Sequence, residues 1–461
     1  METLNYKELG LRIGLEIHFQ LDTKEKLFCH CLTKLIEKKP DFTIKRFLRP
    51  VLSEILEKDI VAEFEEAKRR YALYEVYNNE TCLVDIDEQP PYEINKEALE
   101  IALQVSLMLN SKISDEIHVM RKQILDYSNT SGFQRSALIS YNGEVKTKYG
   151  NVKVSSLSLE EDAARKIQET KDYVIYRLDR LGFPLIEIST DASISDPEQA
   201  KEVAAYLGMI MNSTGKIKNI LGSIRQDVNV SIKNGARTEI KGVQELSLIP
   251  LVIKDEVKRQ LNLIKQGKKI QGEVRAANED GTTRFLRPLP GSSRMYVETD
   301  VPEILITKDL LSKIKIPKLI HEKINELKSK HNLSQELSSE LIKQKIDFED
   351  YSKKYKNIGK SLLASLLIKY NKENNLEKTL DLLNSGKITK DVFDEVIKKG
   401  SIDLSKASFD IKKIENEIKK IIKEKPELSV NAIMGLLMAK YKGKIDGKKL
   451  IELINKNLST K

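Results

Sequence analysis

At 461 residues the chain is too long for a single hydrophobic core and points to about two to four domains. Apolar residues make up 40% and charged residues 32%, with no Trp, a balance that excludes wholesale disorder. Three cysteines, no long apolar run and a polar start argue against a disulfide framework or a membrane span, and a cytoplasmic protein is expected. The net charge of +9 is unevenly spread: residues 1–300 hold 44 Lys+Arg against 46 Asp+Glu, and residues 301–461 hold 34 against 23. All 34 are Lys and the last arginine is Arg294, so the arginines of the first part stand out as planar anion binders.

In chain order, residues 12–21 alternate strictly, with Ile13, Leu15, Ile17, Phe19 and Leu21 on one side and Glu16, His18 and Gln20 on the other. Period two predicts a strand whose wet face carries a carboxylate and an imidazole, as a sheet presents ligands to a divalent metal. An edge strand meeting only solvent gives the same pattern. Cys29-His30-Cys31 with Cys82 and Asp85 resembles a zinc framework one ligand short, the fourth being Asp85 or His30. Reduced or buried thiols are expected there rather than zinc. Residues 93–109 read as a helix with Ile94, Ala98, Ile101 and Val105 on one face.

Asp126 to Arg135 is a loop of small donors around Ser131 and Gly132, with Arg121 and Lys122 just upstream, suited to phosphate. Tyr141-Asn142-Gly143 and Asn234-Gly235 read as turns. From Leu157 to Lys166 a strand pattern gives way to a helical one at three acids, where Glu160 and Glu161 point oppositely in a strand and Asp162 follows. Pro197 to Met211 is a helix opened by Asp196 as N-cap. Strands are expected at 224–232, with Arg225, Asp227, Asn229 and Ser231 on one face, and at 238–241, with Glu239 and Lys241 together. Thr282 to Asp300 sets Arg284, Arg287 and Arg294 around a Pro-Gly turn.

After Pro302 no strand is expected and Leu/Ile recur at helical spacing, interrupted at 371–375, 401–410 and Pro426. The predicted organisation is an α+β domain over 1–300 with an antiparallel or mixed sheet, a helical domain over 301–408 and a small basic helical tail over 409–461. Thr214-Gly215-Lys216 is no P-loop, because Gly208 is too far upstream and Ile217 replaces the required Ser/Thr, and neither a dinucleotide fingerprint nor a nucleophile elbow occurs.

Taken together, these phrases resemble the B/E subunits of the tRNA-dependent amidotransferases, the archaeal E type in particular. The likeness runs through Gly14-Leu-Glu-Ile-His18, Leu27-Phe-Cys-His-Cys31, His118-Val-Met-Arg-Lys122, Asn129-Thr-Ser-Gly-Phe-Gln134 and Leu159-Glu-Glu-Asp-Ala163. It continues in Pro184-Leu-Ile-Glu-Ile188, Arg225-Gln-Asp-Val-Asn229, Glu239-Ile-Lys-Gly-Val-Gln-Glu245, Arg287-Pro-Leu-Pro-Gly291 and residues 296–302, with an echo in Ala432 to Met438. The resemblance implies a glutamine-synthetase-like cradle, a helical domain and a tRNA-binding tail. It implies ATP-dependent phosphorylation of the Glu side chain on mischarged tRNA(Gln), then amidation by ammonia from an asparaginase-like glutaminase partner of the D type, in a heterodimer or heterotetramer.

Carried onto this chain, the resemblance makes Glu16, His18, Glu161, Asp227 and Glu239 the metal ligands, magnesium the metal, and Glu161 preferred over Glu160. Glu16, His18 and Lys241 are the catalytic candidates, and Arg121, Lys122, Ser131, Gly132, Arg284 and Arg287 the ATP-binding ones. The E type normally carries an insertion like one in aspartyl-tRNA synthetases, whereas here Gln271-Gly-Glu-Val-Arg275 runs straight into Asn278-Glu-Asp-Gly281. Two other readings are amidation of Asp-tRNA(Asn) by the same chemistry and a non-catalytic tRNA-binding scaffold.

Overall fold

The alternating segments form strands whose dry faces pack under helices. The structure is a computed structural model describing residues 4–47, 63, 66–124, 126–218, 220–289, 295–399, 411–441 and 447–458. It divides into two units, Met1–Leu319 and Ile320–Lys461.

The first unit begins with strands β1 (Arg12–Gln20), β2 (Phe42–Phe47) and β3 (Tyr71–Val76), helix α1 (Lys96–Met108), and strands β4 (Lys112–Ile113), β5 (Glu116–Ile117) and β6 (Val119–Gln123). Then come β7 (Phe133–Thr147), β8 (Gly150–Glu161), β9 (Arg165–Glu169), β10 (Tyr173–Arg177), β11 (Pro184–Thr190) and helix α2 (Pro197–Ser213). Strands β12 (Ile224–Ser231) and β13 (Thr238–Lys241), helix α3 (Leu248–Lys265), and strands β14 (Glu273–Ala277) and β15 (Thr283–Pro288) follow. The unit closes with β16 (Met295–Val297), β17 (Ile304–Leu305) and the short helix α4 (Lys308–Lys313).

Eleven strands form one mixed sheet in the order β15-β14-β13-β12-β1-β11-β8-β7-β6-β16, with β4 on β7. Ile13, Leu15, Ile17, Val228, Val230 and Ile240 point into a core shared with Ile101 and Val105 of α1, Val203 and Leu207 of α2, and Val252 and Val257 of α3. Because side chains alternate, Glu16, His18, Asp227, Asn229, Glu239 and Lys241 are driven to the other face, while Gln226 and Thr238 stay buried on the core side. A second sheet, β2-β3-β10-β9, has its own core of Tyr74, Val76, Val174, Tyr176 and Leu178, and β5 pairs with β17.

The helix expected from 93 starts at Lys96, where the Asn95 side chain accepts from the Ala98 N–H, and Asp196 caps α2 as its sequence predicts. Three local expectations are corrected. No helix follows the acids at 160–162: β8 ends at Glu161 and β9 starts at Arg165, because Asp162 is buried as an ion-pair partner rather than standing at a helix start. Residues 141–143 make no turn but lie inside β7, where Asn142 takes φ +54° and a Cβ on Gly143 would sit 2.3 Å from Ser111 Oγ. A strand does occur after Pro302, since β17 pairs with β5, and Ile306, Leu310 and Leu311 belong to the first unit's core.

The second unit is helical: α5 (Ile320–His331), α6 (Gln335–Lys343), α7 (Phe348–Lys354), α8 (Lys360–Tyr370), α9 (Leu376–Asn384), α10 (Lys390–Lys399), α11 (Ile411–Glu424), α12 (Val430–Tyr441) and α13 (Gly447–Leu458). It holds two separate cores, one around Leu341, Phe348, Leu363, Leu367, Leu380 and Phe393 and one around Ile414, Ile418, Ile433, Leu437, Leu450 and Ile454. The boundary expected near 408, like Arg294 and the turn at 290–291, lies outside the described residues.

Candidate active site

The polar face of the large sheet gathers the predicted residues through register. Glu16 stands opposite Asp227 on β12 and Ser189 on β11, His18 opposite Arg225 and Glu187, and Asn229 opposite Glu239 on β13. On the far side, Glu187 pairs in register with Ser158, and Leu185 with Glu160, which faces Ser136 on β7. At the near edge, Val274 of β14 links Glu239 to Arg287, and Ala276 links Lys241 to Arg284. Residues directly opposite one another share a face, so segments hundreds of residues apart converge by strand order alone.

At the centre, one ligand atom each from Glu16, His18 and Glu187 lie within 4.8 Å of one another. His18 Nε2 is 3.3 Å from Glu187 Oε2 and 3.8 Å from Glu16 Oε1. On one flank Lys241 Nζ donates to Asp227 Oδ2 at 2.6 Å and lies 2.5 Å from Glu239 Oε1. On the other, Lys122 Nζ lies 3.7 Å from both Glu160 and Glu187. Buried Glu160 accepts from Ser136 Oγ at 2.6 Å through one oxygen, while its Oε2, like Glu187 Oε2, takes no well-aligned hydrogen bond among the described residues.

Burial and the Glu187 charge push the Glu160 carboxyl up to about 7, and the same two causes raise Glu16. Burial alone would discharge His18, but Glu187, Glu16 and Glu160 outweigh it and hold the imidazole above its ordinary pKa. Burial likewise opposes charge on Lys122 and Lys241, yet their carboxylate neighbours win and both are raised. This is the electrostatics of a site short of positive charge. Crowded carboxylates with unsaturated buried oxygens and one imidazole suit a hard divalent cation.

Not every candidate is on this face. Glu161 points the other way, accepting from the Arg135 N–H at 3.0 Å and lying 3.4 Å from Arg135 Nη1. Arg121 joins it there, held by Glu298 at 2.5 Å and Asp300 at 3.4 Å, with its guanidinium 4.8 Å from the Phe133 ring centre. Lys122 and Glu160, their chain neighbours, face the cluster instead, because adjacent strand residues alternate. The structure thus brings Glu160, not Glu161, towards Glu16 and His18. Ser131 and Gly132 lie in the β6–β7 loop, where Gly132 takes φ +77° and Ser131 Oγ donates to the Phe133 carbonyl.

Glu187 is the residue sequence reading left unassigned. Its signal was a lone acid in the otherwise apolar run Pro184 to Ile188, a residue type that must find a partner when such a strand is buried. Beyond Glu16 the face opens into a cavity of about 300 Å³ lined in part by Arg12, Ser189, Thr190, Asn229 and Arg237. At the other end of β1, Arg225 Nη2 donates to buried Asp162 at 2.6 Å, and the Gln20 amide donates to the same carboxylate.

A sheet that carries a carboxylate–imidazole cluster flanked by lysines fits a ligand-bearing catalytic domain, and family comparison agrees: residues 11–312 match the GatB/GatE catalytic domain. The chain belongs to the GatB/GatE family. It is similar to the E-type subunit of the glutamyl-tRNA(Gln) amidotransferase of Methanocaldococcus jannaschii, at 36% identity over 99% of both chains. The corresponding protein of Archaeoglobus fulgidus is 34% identical over 99% of both, and that of Methanothermobacter thermautotrophicus 36% identical over 86% of this chain and 87% of its own. The first alignment spans 625 positions against 461 residues here, so at least 164 positions of it have no counterpart in this chain. Where the insertion was expected, β14 and β15 are joined by a tight turn closed by the Asn278 N–H donating to the Thr282 carbonyl at 2.8 Å.

Proposed function

We propose that this chain is the amidating subunit of a glutamyl-tRNA(Gln) amidotransferase, turning Glu on tRNA(Gln) into Gln with ATP and ammonia. The observation that carries the reading is the convergence of Glu16, His18, Glu187 and Glu160 on one sheet face, between Lys122 and the Asp227–Lys241–Glu239 triad, in a member of this family. A carboxylate is a poor electrophile until phosphorylated, and a divalent cation, taken as magnesium, would offset charge during that transfer. Glu16, His18 and Glu187 would hold it, with Asp227 and Glu239 available if Lys241 swings away. Lys122, Lys241, Arg284 and Arg287 add positive charge on the same face for nucleotide phosphates.

The basic helical segments 301–408 and 409–461 are assigned to tRNA, whose phosphates their lysines would meet. Ammonia is assigned to a separate glutaminase partner, because no Cys or Ser nucleophile constellation is recognised in the sequence. The test uses the purified chain with ATP, magnesium and ammonium, offered Glu-tRNA(Gln) or Asp-tRNA(Asn). Gln-tRNA should form, should vanish in Glu16→Ala, and should need a partner when glutamine is the donor. Tight tRNA binding without turnover would leave the scaffold reading, and amidation of Asp-tRNA(Asn) alone would reassign the substrate.

A further inference from the structure

Strand register sets the polar face of the large sheet in rows, and the row at the start of β1 is unlike the others. Arg12 stands opposite Ser231 on β12, and Arg237 follows directly on the Val230–Thr238 pair, so an arginine lies on either side of Ser231. The next row has Gly14 opposite Asn229, and the one after it Glu16 opposite Asp227. Arg12, Gly14, Glu16, Asn229, Ser231 and Arg237 all line the cavity of about 300 Å³.

Most described arginines of this unit are held by carboxylates, as Arg121, Arg135, Arg165 and Arg225 are. Arg12 and Arg237 are exceptions. Arg237 Nε donates to Asn229 Oδ1 at 2.9 Å, and Arg12 Nε to the Ala192 carbonyl at 3.4 Å. Among the described residues neither has a carboxylate partner, and the Nη atoms, the fork that suits a phosphate, bond to no protein group.

Gly14 gives a second observation. Its backbone is that of an ordinary strand, and a Cβ there would lie 3.7 Å from the Thr190 and Asp191 carbonyl oxygens and 3.9 Å from Asn229 Cβ. Those are normal contacts, so neither conformation nor packing demands glycine. Its missing side chain leaves an open floor between the arginines and Glu16, where a ligand can lie close to the strand.

We propose that Arg12 and Arg237 bind the last phosphodiester of an aminoacylated RNA 3′ end, with the aminoacyl nucleoside lying over Gly14 towards Glu16. This rests on the function proposed above and adds where the substrate is gripped. Length selects the anion. Four strand residues carry the chain from Arg12 to Glu16, about 13 Å. The two carboxylates of free glutamate are about 5 Å apart, as are the first and last phosphorus atoms of a triphosphate, so neither spans the floor. In glutamate esterified to a terminal ribose, about ten bonds run from the 5′ phosphate to the side-chain carboxyl, about 12 Å when extended.

The experiment compares two glutamylated CCA trinucleotides that differ only in the last linkage, one a phosphodiester and the other a neutral methylphosphonate. Binding to the full chain is read by fluorescence anisotropy at fixed ionic strength without ATP, so the result does not depend on turnover. The parent should prefer the phosphodiester at least about tenfold, as expected for hydrogen bonds to a charged group. Arg12→Ala and Arg237→Ala should each bring the two affinities together, and Gly14→Ala should weaken both alike. Equal binding of the two by the parent overturns the site, as does a preference that survives in both arginine variants. A raised KM for ATP in Arg12→Ala with the preference intact gives the arginines to the nucleotide and also overturns it. No loss of affinity in Gly14→Ala overturns the path over the floor. A parent that shows the preference yet amidates neither the trinucleotide nor Glu-tRNA(Gln) keeps the subsite and sinks the reaction assigned above.

Discussion

Glu160 and Glu161 are neighbours in one strand with opposite surroundings, and Glu160→Gln separates them. The Glu160 carboxyl is buried, bonded to Ser136 and crowded by Glu187, which raises its pKa from 4.5 to about 7. A pKa raised on folding means the folded protein holds a proton that the unfolded chain has lost, so the native acid is a liability that is absent below pH 4.5 and complete above 7. Glutamine mimics the protonated form. In buffer without magnesium the variant should match the parent below about pH 4.5 and gain stability as pH rises, up to at most about 3 kcal/mol near pH 8. Calorimetry across pH reads this directly.

The same variant should lose at least about 100-fold in ammonium-dependent amidation, beyond what outer-shell changes cost at a metal site. Glu161→Gln, which faces Arg135 behind the sheet, should stay within about threefold of the parent. If Glu160→Gln amidates normally, or if Glu161→Gln is folded yet inactive, the assignment of the working face is wrong.

Asp162 offers an acid-stability prediction. Burial disfavours its charge, but Arg225 at 2.6 Å and Arg180 at 3.5 Å outweigh burial and lower its pKa below 3.8. Its charge therefore stabilises the fold above the unfolded value, and that contribution disappears as pH falls through the lowered one. Asp162→Asn should cost about 1.5–3 kcal/mol at pH 7 because it removes charge-assisted contacts from two partly exposed guanidiniums, with the gap to the parent constant down to pH 4 and narrowing below it in thermal melts. For the lysine-rich last third, tRNA affinity of the full chain should fall about 10³–10⁵-fold between 50 and 200 mM salt if 6–10 phosphates are contacted. A filter-binding titration with a flat salt response would remove those helices from the tRNA surface.

The sequence alone carried what period and composition can carry. Alternation in β1, β12 and β13 announced strands with Glu16, His18, Asp227, Glu239 and Lys241 on their wet sides, helical spacing announced α1, and the same spacing with Asp196 as cap announced α2. The change of texture after residue 300 announced the helical last third, and ordered motifs announced the family. These are local signals, fixed by the geometry of a strand or a helix turn.

Strand order is not local, and it decided the rest. Placing β11 beside β1 put Glu187 against His18, and pairing β8 with both β11 and β7 turned Glu160 towards the cluster and Glu161 away. No single-chain pattern could choose between those two acids, because alternation says only that they differ. The fold likewise set a carboxylate oxygen of Asp85, not the exposed ring of His30, within 4.8 Å of the sulfurs of Cys29, Cys31 and Cys82 and buried Lys26 against it, since a carboxylate and an ammonium can enter a core only together.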